Sequence, residues 1–199
     1  MIVISPARPE EFAAAAEVLA EAFADDPNAL AILPGETDRH RRLTHLFSAV
    51  IHAGAGARGV VDVARLDGEG PIVGVAAWEA PEARRGALRR ELGQLPRFLR
   101  AFGLAGLPRA MAMEHRLQHH RPAEPHWYLA DIGVALSARG LGVGSALLRT
   151  RLEAIGEAGL PAYLESSTAD NRRLYERFGF RELAPISGIP GSSPVAMRR

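Results

Sequence analysis

The 199-residue chain lacks cysteine, lysine and any long apolar run. Without cysteine it can form neither disulfides nor thiolate zinc sites, and it has no cysteine nucleophile. No stretch approaches the ~18 unbroken apolar residues that a membrane span needs. The first residues also lack the basic and apolar regions of a secretory signal. We therefore expect a cytoplasmic protein with no membrane partner.

The net charge is close to zero, because 24 basic and 23 acidic residues give 24 − 23 = +1. This balance gives no support for nucleic-acid binding. The charges are segregated along the chain: residues 10–38 carry eight acids and no basic side chain, whereas residues 84–121 carry nine arginines and two acids. Neighbouring solvated surfaces would explain this pattern, and a basic surface for an anionic ligand stays open as the alternative.

Hydrophobic periodicity predicts strands and helices along the whole chain. Strands are predicted at 2–4, 60–64, 72–78, 126–136, 162–165, 180–186 and 195–198. Helices are predicted at 9–23, 37–53, 142–156 and 169–178, with a helical insert at 82–119 that is interrupted near Pro96 and again from Gly103 to Pro108. Strands joined through helices indicate an α/β fold in which helices pack on the faces of a mixed sheet of about seven strands. We expect a single domain over residues 1–199.

A glycine-rich turn follows the fourth predicted strand. Gly140, Gly142 and Gly144 allow successive backbone N–H groups to point into one concavity. The next helix adds its unpaired N–H groups and the positive end of its dipole, and Arg139 adds a full charge. The turn is therefore predicted to bind a phosphate or pyrophosphate. A turn that only lets helix and strand pack closely is the alternative.

Two common phosphate-binding motifs do not match this turn. A P-loop requires Gly-Lys-Ser/Thr, and the chain has no lysine. A dinucleotide fingerprint places Gly-x-Gly-x-x-Gly near the first strand, whereas Gly140-x-Gly142-x-Gly144 lies late in the chain.

Two segments resemble the cofactor motifs of the GCN5-related N-acetyltransferase (GNAT) superfamily. The pattern Arg-x-x-Gly-x-Gly at residues 139–144 is similar to that family's acetyl-CoA pyrophosphate loop. Residues 164–180, ending in Leu-Tyr-x-x-x-Gly-Phe, resemble its second cofactor motif. Within the superfamily the chain looks most like puromycin N-acetyltransferase and its relatives, with which it shares the short spacing from Asn171 to Tyr175. The resemblance implies the GNAT fold with the helical insert before the fourth strand.

The resemblance also implies acetyl-CoA as cosubstrate and no metal. The pantetheine arm would lie between two splayed strands, 126–136 and 162–165, and would pair with backbone groups of Ile132, Gly133 and Val134. Asn171 would hydrogen-bond the same arm. The diphosphate would be held by seven consecutive backbone amides, those of Arg139, Gly140, Leu141, Gly142, Val143, Gly144 and Ser145.

Direct acyl transfer from a thioester to an amine poses two proton-transfer problems. Glu165 is the first choice for the base that deprotonates the ammonium form of the acceptor, with Asp131 and Glu114 as alternatives. Tyr175, whose phenol has an ordinary pKa of about 10, would donate a proton to the departing thiolate. An ordinary salt-bridged carboxylate and a core aromatic are the structural alternatives for Glu165 and Tyr175.

The acceptor is expected to be a primary amine of a small antibiotic-like or metabolite-like molecule. Trp127 and Tyr128 would line its pocket or pack against the insert, and strand alternation predicts Tyr128 on the same face as Ile132 and Val134. A protein N-terminal or lysine acetyltransferase and a non-catalytic acyl-CoA sensor remain alternative functions. Either a monomer or a homodimer is compatible with the sequence. Three histidines at helical spacing are predicted to be surface residues rather than metal ligands: His115, His119 and His120.

Overall fold

A computed structural model describes all 199 residues and contains one seven-stranded sheet. Its strands are β1 (Ile2–Pro6), β2 (Gly59–Leu66), β3 (Gly74–Glu79), β4 (Trp127–Val134), β5 (Ala162–Ser166), β6 (Arg181–Pro185) and β7 (Val195–Arg198). Their spatial order is β1-β2-β3-β4-β5-β7-β6. Only β4 and β5 run parallel, and all other neighbours are antiparallel. The predicted mixed α/β sheet is thus confirmed.

The helices are α1 (Phe12–Ala22), α2 (Pro27–Ile32), α3 (Arg39–Ala53), α4 (Ala55–Arg58), α5 (Ala87–Gly93), α6 (Leu95–His120), α7 (Val143–Glu157) and α8 (Ala169–Arg177). Short 3-10 turns occupy Pro9–Glu11 and Leu136–Ala138. None of the helices is both long enough and apolar enough to cross a membrane.

Helices cover both faces of the sheet, as predicted. On one face α1 and α3 bury Leu19 and Phe47 against Val75 of β3. On the other face α7 buries Leu147 against Trp78. Each such side chain, when fully buried, stabilises the fold by about 1.5–3 kcal/mol. Alternating residues of β3 therefore belong to two different hydrophobic clusters, which places the sheet between two layers of helix.

An ion pair links α7 to the sheet. The guanidinium of Arg151 donates to both carboxylate oxygens of Asp62 on β2, through Nε at 2.8 Å and Nη2 at 2.7 Å. The Asp62 side chain is 1% exposed. Two parallel bonds compensate the desolvation of this buried carboxylate.

Two short helices were not predicted from the sequence. The segment Asp25-Asp26-Pro27-Asn28, which follows the predicted helix 9–23 and predicts its end, also begins α2. Asp26 Oδ1 accepts hydrogen bonds from the amides of Asn28 and Ala29, and Pro27 occupies the first turn. Helix α4 follows α3 after Gly54, directly beyond the end of the predicted helix 37–53.

The predicted helical insert corresponds to α5 and α6. Gly103 has non-helical angles (φ 62°, ψ 175°) and breaks α6, as its position in the predicted interruption indicates. Pro108 does not end the helix but lies inside α6, five residues after this break. The insert packs mainly along α3 and leaves a cavity between itself and the sheet.

A β-bulge in β4 reverses the expected direction of one candidate residue. Ala77 of β3 is paired with Asp131, but the next residue, Trp78, is paired with Leu129, so that one residue of β4 has no partner. The additional residue shifts the alternation of side chains. Ile132 and Val134 consequently pack against the cluster below α7, whereas Tyr128 packs in a separate cluster beside the insert. The prediction that Tyr128 shares their face is wrong for this reason.

Candidate active site

The parallel strands β4 and β5 form a cleft because they are paired over only two residues. Trp127 is paired with Ala162 and Tyr128 with Tyr163, and no further pairs follow. From residue 129 to residue 134, β4 is hydrogen-bonded to β3 on one side only. The backbone of Ile132, Gly133 and Val134 therefore has a free edge, which an extended ligand can join as an additional strand would.

The glycine-rich turn at the end of β4 presents several unpaired amides. Gly140 and Gly142 have φ of +79° and +82°, which only glycine adopts readily. A Cβ atom added at either position would meet no atom within 4 Å, so open space lies in front of the turn. Five of the seven amides in residues 139–145 have no acceptor in the protein, those of Gly140, Gly142, Val143, Gly144 and Ser145.

Two residues of the turn are engaged within the protein. The amides of Arg139 and Leu141 donate to the carbonyls of Leu136 and Ala138 at 3.3 and 3.4 Å. The side chain of Arg139 donates through Nη2 to the carbonyl of Ala22, at the end of α1, at 3.2 Å. This contact holds the turn against α1, and the five unpaired amides next to the N-terminus of α7 fit the diphosphate of a coenzyme A thioester.

A cavity of about 750 Å³ lies between the cleft and the insert. Five of the sequence-predicted site residues line it: Tyr128, Ile132, Glu165, Asn171 and Tyr175. Both alternative bases, Asp131 and Glu114, line it as well. Trp127 does not, because its side chain packs against the cluster that contains Trp78 and Leu129 on the other face of the sheet.

Glu165 lies near the end of β5, and its side chain is only 4% exposed. Arg121, which immediately follows α6, donates through Nε to Glu165 Oε1 at 3.4 Å and through Nη2 to Glu114 Oε1 at 3.4 Å. Its guanidinium carbon lies 3.8 Å from the centroid of the Tyr128 ring. Burial raises the pKa of Glu165 above the ordinary value, while Arg121 and the Tyr128 hydroxyl oppose this shift.

Tyr175 and Asp131 form a second polar group in the same cavity. The Tyr175 ring packs edge-to-face on Phe180, with ring centroids 5.9 Å apart. Burial, together with the negative charges of Asp26 and Asp131, raises the pKa of the Tyr175 phenol well above 10. Burial also raises the pKa of Asp131 to about 7. Tyr175 is therefore protonated at neutral pH and can donate a proton, whereas Asp131 is only partly ionised.

Several polar groups in or beside the cavity were not predicted from the sequence. For Arg121 and Asp26, nothing in the spacing of the sequence indicates a role. Asp26 caps α2 with one oxygen and accepts a hydrogen bond from the Ser167 hydroxyl with the other. Glu79, at the end of β3, has its pKa raised by burial and lies against Gly54, where an added Cβ atom would collide with Glu79 Oε1. Sequence reasoning missed these groups because contacts between residues far apart in the chain bring them to the cavity, and no local pattern indicates such contacts.

The histidines of α6 form no metal-binding group. The rings of His115 and His119 lie 5.0 Å apart, and no set of three or more His, Asp or Glu side chains is arranged to hold a metal ion.

A family model and a solved structure relate the chain to acetyltransferases. A family model described as the acetyltransferase (GNAT) family matches residues 20–180. A crystal structure described as histone acetyltransferase HPA2 and related acetyltransferase, from Corynebacterium glutamicum, has 34% sequence identity and a TM-score of 0.78, and the match covers 99% of this chain and 94% of that one.

Two further relatives are more distant. An uncharacterized N-acetyltransferase of Schizosaccharomyces pombe is 27% identical over 187 residues, which is 86% of this chain and 71% of the relative. The arylalkylamine N-acetyltransferase 2 of Aedes aegypti has the same fold, with a TM-score of 0.63 at 16% identity, and covers 100% of this chain and 98% of that one.

The chain belongs to the GNAT family of acetyltransferases, and the predicted superfamily and enzyme class are confirmed. The closer likeness to the puromycin branch stays a prediction.

Proposed function

We propose that the protein transfers an acetyl group from acetyl-CoA directly to a primary amine of a small molecule. The observation that carries this proposal is the cavity itself. It joins the free edge of β4 to a buried carboxylate, Glu165, and to a protonated phenol, Tyr175. Residues 1–199 would act as a single cytoplasmic domain, either as a monomer or as a homodimer.

The residues that would hold acetyl-CoA fit its three parts. The backbone of Ile132, Gly133 and Val134 would pair with the pantetheine amides, and the unpaired amides of residues 140–145 would bind the diphosphate. Asn171, whose side-chain amide has no partner in the protein and which lines the cavity, would hydrogen-bond the pantetheine arm. When bound, acetyl-CoA supplies the acetyl group as a reactive thioester.

The two proton transfers would be divided between Glu165 and Tyr175. Glu165 would take the proton of the acceptor ammonium, directly or through water, because an ammonium ion has no lone pair for attack. Tyr175 would donate its proton to the departing sulfur. Positioning both reactants in one enclosed cavity can contribute about 7–11 kcal/mol to lowering the barrier.

Thiol release from acetyl-CoA, measured over a panel of small amines and peptides, tests this function. Release that depends on a small amine supports the proposal. Release that depends only on peptides would instead support the alternative of a protein acetyltransferase, an activity that the name of the Corynebacterium glutamicum relative suggests. Tight binding of acetyl-CoA without transfer to any acceptor would support a non-catalytic sensor.

A further inference from the structure

Residues of the insert line part of the cavity, and many of them are apolar. Four large apolar side chains of α5 and α6 line the cavity and are also exposed to solvent. These are Leu88 (70% exposed), Leu92 (59%), Leu95 (40%) and Met111 (71%). We refer to these four residues as the cavity mouth.

The cavity mouth is different from scattered surface leucines. Single exposed apolar residues are ordinary in soluble proteins, whereas several around one concave opening indicate a binding surface. Leu104 illustrates the ordinary case, since it is 80% exposed on the same helix α6 but does not line the cavity. These four side chains line the same cavity as Glu165, so a molecule that presents an amine to this carboxylate can place its remaining atoms against them.

The charges of the cavity disfavour an anionic acceptor. Five carboxyl groups but only three guanidinium groups line it. Two of the three guanidinium groups are engaged: Arg121 contacts two carboxylates, and Arg90 donates to three backbone carbonyls, one at the end of α3 and two in the insert. Only Arg84, which is exposed at the rim, has no partner within the protein. A cation on a neutral body therefore matches the lining better than an amino acid or a nucleotide does.

We propose that the acceptor is an amphiphilic monoamine, in which one primary amine is attached to a bulky apolar or aromatic body that carries no anionic group. The amine reaches Glu165, and the apolar body contacts Leu88, Leu92, Leu95 and Met111. This inference rests on the proposed acetyl transfer and specifies its substrate class.

A series of unbranched alkylamines and phenylalkylamines, assayed by thiol release, tests the inference. Burial of each additional methylene is expected to raise kcat/KM about fourfold until the mouth is filled. The matched acceptors are an ω-amino acid, which adds an anion, and an α,ω-diamine, which replaces the apolar end by a second cation. Both are expected to be poorer than the monoamine of equal length. Equal or higher kcat/KM for the diamine, the amino acid or a peptide would overturn the inference.

Substitutions in the cavity mouth test whether these four residues cause the preference for apolar amines. Leu92→Ser and Met111→Ser are expected to raise KM for a phenylalkylamine by about tenfold, since each removes apolar contact area at the surface, and to affect ethylamine much less. Leu104→Ser, the matched control, should leave all these values unchanged. Equal losses in the mouth variants and the control, or equal losses for both amines, would contradict the assignment.

A binding measurement separates this inference from the proposed function. Calorimetry of the phenylalkylamine with the CoA-loaded protein reports acceptor binding without turnover. If the wild-type protein binds the phenylalkylamine but does not acetylate it, and Leu92→Ser weakens this binding, the apolar site is supported and the proposed reaction is rejected. Transfer to small amines without any dependence on apolar length would retain the reaction and reject the apolar site.

Discussion

Arg121 and Glu165 form a buried ion pair in which Nε of Arg121 lies 3.4 Å from Oε1 of Glu165. Their side chains are 8% and 4% exposed, so water screens the pair only weakly. Arg121 follows the last turn of α6, while Glu165 lies on β5, and the pair therefore joins the insert to the strand that forms one wall of the cleft. Burial alone favours the protonated acid, whereas the charge of Arg121 favours the ionised form of Glu165, which the proposed role as a base requires.

Replacement of Arg121 by glutamine is expected to move the acid limb of the kcat/KM profile to higher pH. Only ionised Glu165 can accept a proton, so activity falls as the pH drops through the pKa of this carboxyl. Burial raises that pKa and Arg121 lowers it, so removal of the guanidinium raises it further. Arg121→Gln should then lose activity near neutral pH and recover part of it under alkaline conditions. Arg121→Lys, which keeps the charge, should show a smaller displacement.

Other titrating groups lie near Glu165, and a control must show that the acid limb of the pH profile does not come from one of them. These groups are Glu79 on β3, Glu114 on α6, Tyr128 and Asp131 on β4, and Tyr163 on β5. In a Glu165→Gln background, the residual activity should therefore be measured with and without Arg121→Gln. If Arg121→Gln displaces the acid limb of that background too, the limb belongs to another group and the assignment to Glu165 fails.

Glu165→Gln should lower kcat by about 10²–10⁴-fold, the usual contribution of a general base, and should leave the affinity for CoA unchanged. The amide has nearly the same shape as the carboxylate but cannot accept the proton. Glu114→Gln tests the alternative base in the same experiment and should have the smaller effect, because Glu114 contacts the same guanidinium but its side chain is 48% exposed. Single-turnover kinetics at saturating amine measure the effect. Full activity of Glu165→Gln would make Asp131, whose pKa burial raises to about 7, the next candidate.

The sequence predicts the sheet well because its signals are local. Alternation and apolar runs identify all seven strands within a few residues, and the glycines at 140 and 142 indicate a turn with positive φ. Helix α2 was missed although Asp26-Pro27 is a good start signal, because the same residues also end α1. The local signals that end α1 and begin α2 overlap at these residues, and only the structure shows that one helix ends there and another begins.

The site was predicted less completely because its contacts are distant along the chain. Tyr175 and Glu165 were found through motifs, but the role of Arg121 depends on the packing of α6 against β5, which no local pattern encodes. The predicted orientation of Tyr128 was wrong because a single unpaired residue in β4 reverses the alternation of side chains between the two faces of the sheet. Bulges of this kind leave the composition of a strand unchanged and become visible only through its pairing.

Gly142→Trp is expected to abolish CoA binding, because the indole would fill the open space in front of the unpaired amides and the backbone there has φ +82°. Gly159→Trp is the matched control: Gly159 is also exposed, has φ +65° and has no atom within 4 Å of an added Cβ. Both variants carry similar backbone strain, but Gly159 lies beyond the opposite end of α7. Calorimetric titration with CoA measures the difference. Unchanged affinity in Gly142→Trp would remove the phosphate site from this turn.

Tyr175→Phe should lower turnover by about 10²-fold, in the range of general acid catalysis, with little effect on CoA affinity. The substitution removes only the hydroxyl and keeps the ring that packs on Phe180. The loss should be smaller for an acetyl thioester whose thiol is more acidic, because such a thiolate departs without protonation. A loss of turnover that does not depend on the leaving group would assign Tyr175 to packing. A loss of turnover accompanied by a lower thermal stability of the protein would do the same.

Arg151→Met is expected to destabilise the fold by about 3–5 kcal/mol without changing the catalytic pH profile, since it leaves the Asp62 carboxylate buried and unpaired. Asp62→Leu combined with Arg151→Met should recover much of this loss, because the apolar pair has no charge to desolvate. Arg149→Met, on the exposed side of the same helix and without an ion pair, should change the free energy of unfolding by less than about 0.5 kcal/mol. Urea unfolding of the three variants and the wild type measures these values. A double variant less stable than Arg151→Met would show that the two side chains stabilise the α7–β2 contact through their packing rather than through the balance of charge.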